Sequence, residues 1–167
     1  MKPGDHPEFF RFPAPEGTSR ESTIRLDRDG RFTHDGEPVE RRDFHEALHR
    51  WLAVHPDDLR TILSNGYDWC YLTVEDTFRF VTGVKGAPPT APVLVMADGT
   101  EEPLDASTLT VDEHGGLFAR VRDGSQAARF LRLAQVELSP WLSADEPAAV
   151  LIDGARHVIA GREKTNL

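Results

Sequence analysis

At 167 residues, 39% hydrophobic and 28% charged, the chain has the make-up of a soluble globular protein with one solid core or two small ones. Its 28 acidic side chains against 19 basic ones leave a net charge of −9, which opposes unspecific attraction to bulk nucleic acid or to an anionic membrane. A single cysteine, Cys70, excludes an internal disulfide and a thiolate metal cluster. No stretch has the apolar length of a membrane span, and the opening MKPGDHPEFF lacks the apolar core of a secretory signal, so a cytoplasmic protein is expected.

Residues 1–20 carry Pro3, Pro7, Pro13 and Pro15 with Gly4 and Gly17, a composition that sustains no regular element and predicts a flexible arm. Phe9, Phe10 and Phe12 are too apolar for a pure spacer, so the arm is expected to clip onto the body or to meet a partner. Residues 21–85 read as a first α+β domain. Short alternating runs at Ile24–Asp27 and Arg31–His34, joined through Asp29-Gly30 and followed by Asp35-Gly36, predict a hairpin and a second turn. From Arg42 to Val54 the period changes: Phe44, Ala47, Leu48, Trp51 and Leu52 share one stripe at 100° per residue, which predicts a helix lying on a sheet. His55-Pro56-Asp57-Asp58 stops it. Leu59–Leu63 then reads as a strand and Asn65-Gly66 as a tight turn.

The run from Tyr67 to Val84 is the richest in β-branched and aromatic side chains. It predicts a buried central strand with Trp69, Tyr71 and Thr73 on one face, turning at Glu75-Asp76 into an antiparallel neighbour. Residues 86–91, stiffened by prolines, read as an interdomain linker. Residues 92–160 give a second α+β domain, with strands at Pro92–Ala97, Thr108–Val111, Leu117–Val121, Ala149–Ile152 and His157–Ala160 and a helix over Arg129–Leu142, whose first residues equally suit an extension of strand. Residues 161–167 form a tail. The similar order of the halves hints at domain duplication.

Several residue groups carry chemistry. His45-Glu46-Ala47-Leu48-His49 fits the two-histidine zinc motif, and His55 stands at the spacing of a third ligand. Leu52, however, occupies the position where the three-histidine pattern requires glycine. Glu75 and Asp76 form a carboxylate pair or a turn cap. Cys70, without a neighbouring base, reads as an inert core thiol. Arg120 and Arg122, two apart on a predicted strand, present a fork suited to phosphate or carboxylate, with Arg129 and Arg132 close behind; the alternative is a charged solvent face. No glycine-rich phosphate loop follows any strand.

Taken in order, Gly30, His34, Gly36, Pro38 and Val39, the helix after them, the VEDTF segment at Val74–Phe78 and LFARV followed by its arginine-bearing segment resemble the uncharacterised bacterial family called DUF1285, from Ser22 to Leu142. Phe78 stands where that family has proline. The resemblance implies two tandem α+β domains of related topology, each with one helix, the C-terminal one resembling a pleckstrin-homology-like barrel. It also implies a ligand pocket between the domains for a nucleotide-derived or similar small molecule, a role in signalling or RNA-linked regulation, and no enzymatic activity. Carried over residue by residue, Glu75 and Asp76 match the VED segment, Arg120 and Arg122 the strand before the second helix, and Arg132 the head of that helix.

The expectation is therefore a non-catalytic ligand-binding or regulatory protein without cofactor or metal. It would take a small, nucleotide-derived anion between its domains, with Trp69 or Tyr71 stacking on the ligand and Glu75, Asp76, Arg120, Arg122 and Arg132 around it. A zinc-dependent hydrolase built on His45, Glu46 and His49, and a protein-interaction adaptor using the aromatic arm, are the competing classes.

Overall fold

In the computed structural model, which describes residues 1–163, the chain opens on two short 3-10 turns, Pro3–Asp5 and Pro7–Arg11. Proline suits the first position of such a turn because its missing N–H has no partner to lose there. The arm is tied down. Gly4 N donates to Gly66 O at 2.8 Å, Arg11 forks onto Asp57 at 3.0–3.2 Å, and the Phe10 ring meets those of His55 and Trp69 edge-on at 6.1 and 5.9 Å. Of the three arm phenylalanines, Phe9 and Phe10 are half-buried and Phe12 remains 63% exposed. The arm thus belongs to the first of two compact units, Met1–Phe78 and Arg79–Leu167.

In the first unit β1 (Arg25–Leu26) pairs antiparallel with β2 (Phe32–His34), and β2 with β3 (Glu37–Pro38). The two turns read from the sequence hold this meander. Asp27 Oδ1 accepts from Asp29 N and Arg31 N around the first, while Asp35 and Gly36 both adopt positive φ in the second. Helix α1 (Arg42–Trp51) starts where expected and ends three residues early, because Leu52 turns extended to begin β4 (Leu52–Val54). The local pattern there satisfies either period, and pairing with β5 (Thr61–Ser64), in register Leu52↔Leu63 and Val54↔Thr61, decides it. β6 (Trp69–Tyr71) pairs with β5, giving the order β4-β5-β6. β6 is therefore a sheet edge and not the central strand expected. Its outer side is covered by an irregular segment, with Tyr71 N donating to Arg20 O at 2.7 Å. β7 (Thr73–Val74) leaves that sheet to lie parallel to β1.

The expected antiparallel turn at Glu75-Asp76 does not form. The next strand, β8 (Arg79–Lys85), opens the second unit, where β9 (Val93–Met96) runs antiparallel to it and β13 (Gln126–Phe130) parallel. Consequently residues 86–91 are the β8–β9 loop inside the second unit and not an interdomain linker. β10 (Glu101–Pro103), β11 (Thr110–Val111), β12 (Leu117–Val121) and β17 (Ala160–Gly161) complete a seven-stranded sheet of order β10-β9-β8-β13-β12-β11-β17. The sheet runs open from β10 to β17 and does not close into the barrel that the family resemblance implied.

Helix α2 (Arg132–Leu138) covers this sheet, shorter than the helix read over 129–142, because Arg129 and Phe130 are held in β13 by β12. Glu137 fixes its approach by accepting from Val84 N, at 3.3 Å, beside a register shift in β8. The core that helix and sheet share includes Val81, Leu94, Met96, Phe130, Leu138 and Trp141. A small sheet of β14 (Leu142–Ser143), β15 (Ala149–Ile152) and β16 (Ala155–Val158) ends the unit. Of the tail expected over 161–167, Gly161 is strand and residues 164–167 lie outside the described residues. The described residues are α+β, mostly strand with two α-helices, as the sequence led us to expect. Among the described residues no helix is long and apolar enough to cross a membrane.

Candidate functional site

Alternation along β6 places Trp69 and Tyr71 on one face, ring centroids 5.1 Å apart, with His55 against both. Each ring also meets an arginine of the same unit. The Arg20 guanidinium lies 4.6 Å from the Trp69 ring centroid and that of Arg60 lies 3.7 Å from Tyr71, an attraction between cation and ring quadrupole. Arg60 is in turn forked by Glu21 at 2.7 and 3.0 Å. The ring faces expected to stack on a ligand are thus met from within. Burial, and then the hydrogen bond to Asp58, push the Tyr71 phenol up to about 12. Trp69 is 6% exposed and its Nε1 has no hydrogen-bond partner.

Glu75 turns to Arg28, accepting from its backbone N at 2.9 Å and its Nε at 3.0 Å, which holds the carboxyl below its usual range. The histidines of the zinc motif do not converge on a third ligand. His45 and His49 meet edge-on along α1 with ring centroids 4.9 Å apart, and His49 Nε2 donates to Gly30 O at 3.0 Å. His55, beyond β4, donates from Nε2 to Phe10 O at 3.1 Å and accepts at Nδ1 from Asp57 N at 3.1 Å, so both of its nitrogens are engaged. Burial lowers the His45 pKa, against the opposing pull of Asp27. Among the described residues no group of three or more His, Cys, Asp or Glu is gathered as a metal ion requires.

The arginines of the second unit do not make the expected fork. β12 ends at Val121, and Arg122 enters the turn with φ of 54°, out of step with Arg120. Arg122 Nη2 bonds the Asp98 carboxylate, which is 6% exposed and also 3.8 Å from Arg79 Nη1. Burial pushes Asp98 up, yet its two bonds from Thr100 and the charges of Arg122 and Arg79 together hold it below the usual range. Burial, with Arg122 next, pulls Arg79 down to about 10. Arg120 bonds Gly124 O at 3.0 Å, and Arg132 is exposed at the start of α2. Of these groups, Arg79 and Asp98 are buried and, with Arg122 at their edge, form an internal polar network.

Concave surface of another kind lies in the first unit, in two adjoining cavities that share Trp51 and Asn65. The larger, about 420 Å³, is bounded by the arm on one side (Lys2, Gly4, Asp5, Phe10) and by the end of α1, β4, and the end of β5 with the turn into β6 on the other (Arg50, Leu52, Ala53, Ser64, Gly66). The smaller, about 220 Å³, lies between α1 and the sheet, walled by Phe44, Leu48, Leu63, Ile24, Trp69 and Cys70 with Asp68 at its margin. It exists because the apolar stripe of α1 is incompletely covered: Leu48 is 4% exposed but Phe44 43%. Burial raises the Cys70 thiol pKa, so this thiol is protonated at neutral pH.

Polar groups around the larger cavity are mostly donors. Asn65 Oδ1 accepts from Tyr67 N and Asp68 N, both at 2.8 Å, which fixes the amide so that its NH₂ is the outward end. Lys2 and Arg50 add cationic donors, Arg50 at 3.4 Å from Glu46, and the Asp5 carboxylate is bonded to the Lys2 backbone N. The α1 stripe that walls the smaller cavity was legible in the sequence as a packing face; Lys2, Arg50 and Asn65 gave no signal, since the arm's position is set only by the fold.

No protein-family model matches the chain, and no curated protein does. Two solved structures share its fold. One is a DUF1285 family protein from Silicibacter pomeroyi, 14% identical, with a TM-score of 0.64 over 84% of this chain and 81% of that one. The chain shares the DUF1285 fold. The other is a DUF1285 family protein from Shewanella baltica, 15% identical, with a TM-score of 0.52 over 68% of this chain and 87% of that one. The family resemblance carried by Gly30–Val39, Val74–Phe78 and LFARV is therefore met by the DUF1285 fold.

Proposed function

We propose that the chain is a non-catalytic ligand-binding protein with a regulatory role in the cytoplasm, and that its first unit holds a small anionic ligand. The observation that carries this reading is the donor-rich wall of the larger cavity. Lys2, Arg50 and the fixed amide of Asn65 border an open cavity within the range of small-molecule sites, about 420 Å³, and such a wall is satisfied by a ligand rich in acceptors. A nucleotide-derived phosphate belongs to that class, as does a carboxylate. The Asn65 amide, held by two backbone N–H groups, and the cationic Lys2 and Arg50 favour recognition over turnover, since none of the three is placed as a nucleophile beside a base.

Thermal shift with nucleoside monophosphates, inorganic phosphate and simple carboxylates tests the reading. A member of the panel should raise the melting temperature, and the double replacement Lys2→Ala and Arg50→Ala should remove the rise. A rise that survives this replacement but is lost on Arg120→Ala with Arg132→Ala moves the site to the second unit. A panel with no effect at all defeats the proposal.

A further inference from the structure

The two cavities differ in chemistry while sharing a wall. Around the larger the functional groups are the Lys2 ammonium, the Arg50 guanidinium, the Asn65 amide, the Ser64 hydroxyl and the Asp5 carboxylate, the last already accepting from the Lys2 backbone N, so two cationic groups stand against one carboxylate. The smaller is walled mainly by carbon, with Phe44, Leu48 and Leu63 opposite one another across the gap between α1 and β5. Trp51 and Asn65 border both, so the two adjoin, and a molecule lying across them would have its polar end at one and its apolar end at the other. Phe44 and Trp51, ring centroids 6.1 Å apart, stand one after the other along the helix at the opening. A phosphate or carboxylate alone leaves this apolar space to water, and a neutral hydrocarbon leaves the cationic wall unmatched.

We infer that the ligand of the first unit is an amphiphilic anion, with a carboxylate or phosphate head held at Lys2, Arg50 and Asn65 and an apolar body passing Trp51 into the cleft beneath α1. This rests on the anion-binding reading above and narrows it to a ligand class. The arm takes part directly. Lys2 is held at the cavity by the Gly4–Gly66 backbone bond and by Arg11 on Asp57, so the head group also bridges the arm to the body of the unit.

The chain's one cysteine supplies the test, because Cys70 borders the smaller cavity and no other thiol competes for label. Labelling by N-ethylmaleimide is followed on the full chain with straight-chain carboxylates and alkyl phosphates of increasing length, below their micelle concentrations, and with the matching alcohols. Thermal shift on a Cys70→Ser variant gives a readout independent of the label. Affinity should rise by up to about fourfold per methylene until the cleft is filled. Long-chain anions should slow labelling at least about tenfold at saturation, while acetate and inorganic phosphate leave it unchanged. Lys2→Met and Arg50→Met should each weaken the long-chain anion about tenfold, as loss of a charge-assisted hydrogen bond does.

Carboxylates and phosphates of equal chain length are compared to identify the head. If mononucleotides or inorganic phosphate bind at Lys2 and Arg50 but chain length adds nothing and Cys70 stays open, the amphiphile is wrong and the anion site stands. If the alcohols bind as tightly as the acids, the anionic head is wrong, and the function proposed above falls with it.

Discussion

The Tyr71 hydroxyl donates to Asp58 Oδ2 across 2.6 Å, joining β6 to the loop between β4 and β5. Desolvation and this bond both favour the neutral phenol, which is why its pKa rises to about 12. Between the ordinary phenol value of about 10 and that raised value the folded chain retains a proton that the unfolded chain has lost, so stability falls as pH climbs through this window. In a Tyr67→Phe background, ultraviolet difference titration should follow Tyr71 alone to about 12, and Asp58→Asn should bring it down. A titration near the ordinary value would show that the bond does not persist in solution.

At the acid end the same loop works in the opposite direction. Asp57 is held low by Arg11, Asp58 by Tyr71 and Glu21 by Arg60. Carboxyls depressed in the folded state contribute stability above their ordinary values of about 4, and lose it as pH falls through the folded ones. The melting temperature should therefore drop as pH is lowered from 5 toward 3, and Arg11→Ala should blunt the drop, as should Arg60→Ala. Being exposed, these pairs should also weaken in high salt.

Asp98 is a stronger test of the second unit, because its carboxylate is buried with Arg79 and Arg122 around it. Asp98→Ala leaves two guanidinium groups without their shared counter-ion and should cost about 3 kcal/mol in chemical denaturation. Arg120→Ala, at an exposed side chain, should stay within about 0.5 kcal/mol. Equal effects at the two positions would remove the basis for calling the cluster structural.

The arm gives a separate prediction. Phe10 packs on His55 and Trp69, and removing its ring should cost about 1 to 2 kcal/mol, with a change in tryptophan emission. Truncation of residues 1–13 should lower the melting temperature by more than Phe10→Ala does. An arm that served only to capture a partner could be cut away without either change.

Gly66 links the arm to the site. Its φ of +90° disfavours any side chain, and an added Cβ would stand 2.5 Å from Lys2 Cδ. Gly66→Ala should cost about 1 kcal/mol and, by displacing Lys2, weaken anion binding several-fold, whereas Gly36→Ala meets nothing nearby and should cost stability alone. Isothermal calorimetry on the two variants separates these outcomes.

Local chemistry in the sequence determined the local parts of this fold. The glycine turns at Gly30 and Gly36, the start of α1 at Arg42 and its stripe of Phe44, Leu48 and Trp51, and the shared face of Trp69 and Tyr71 all follow from side-chain size, positive φ and periodicity over a few residues. Their order along the chain was enough to identify the fold resemblance. Three matters were decided only by tertiary structure: whether Leu52–Val54 continued a helix or paired with β5, whether β8 turned back on β7 or ran beside β13, and where Lys2 came to rest. Each is a competition between partners far apart in sequence, settled by which pairing buries more apolar surface and satisfies more backbone. A residue at one end of such a pairing carries no mark of its partner at the other, which is why the cavity between arm and helix became visible only when the chain was folded.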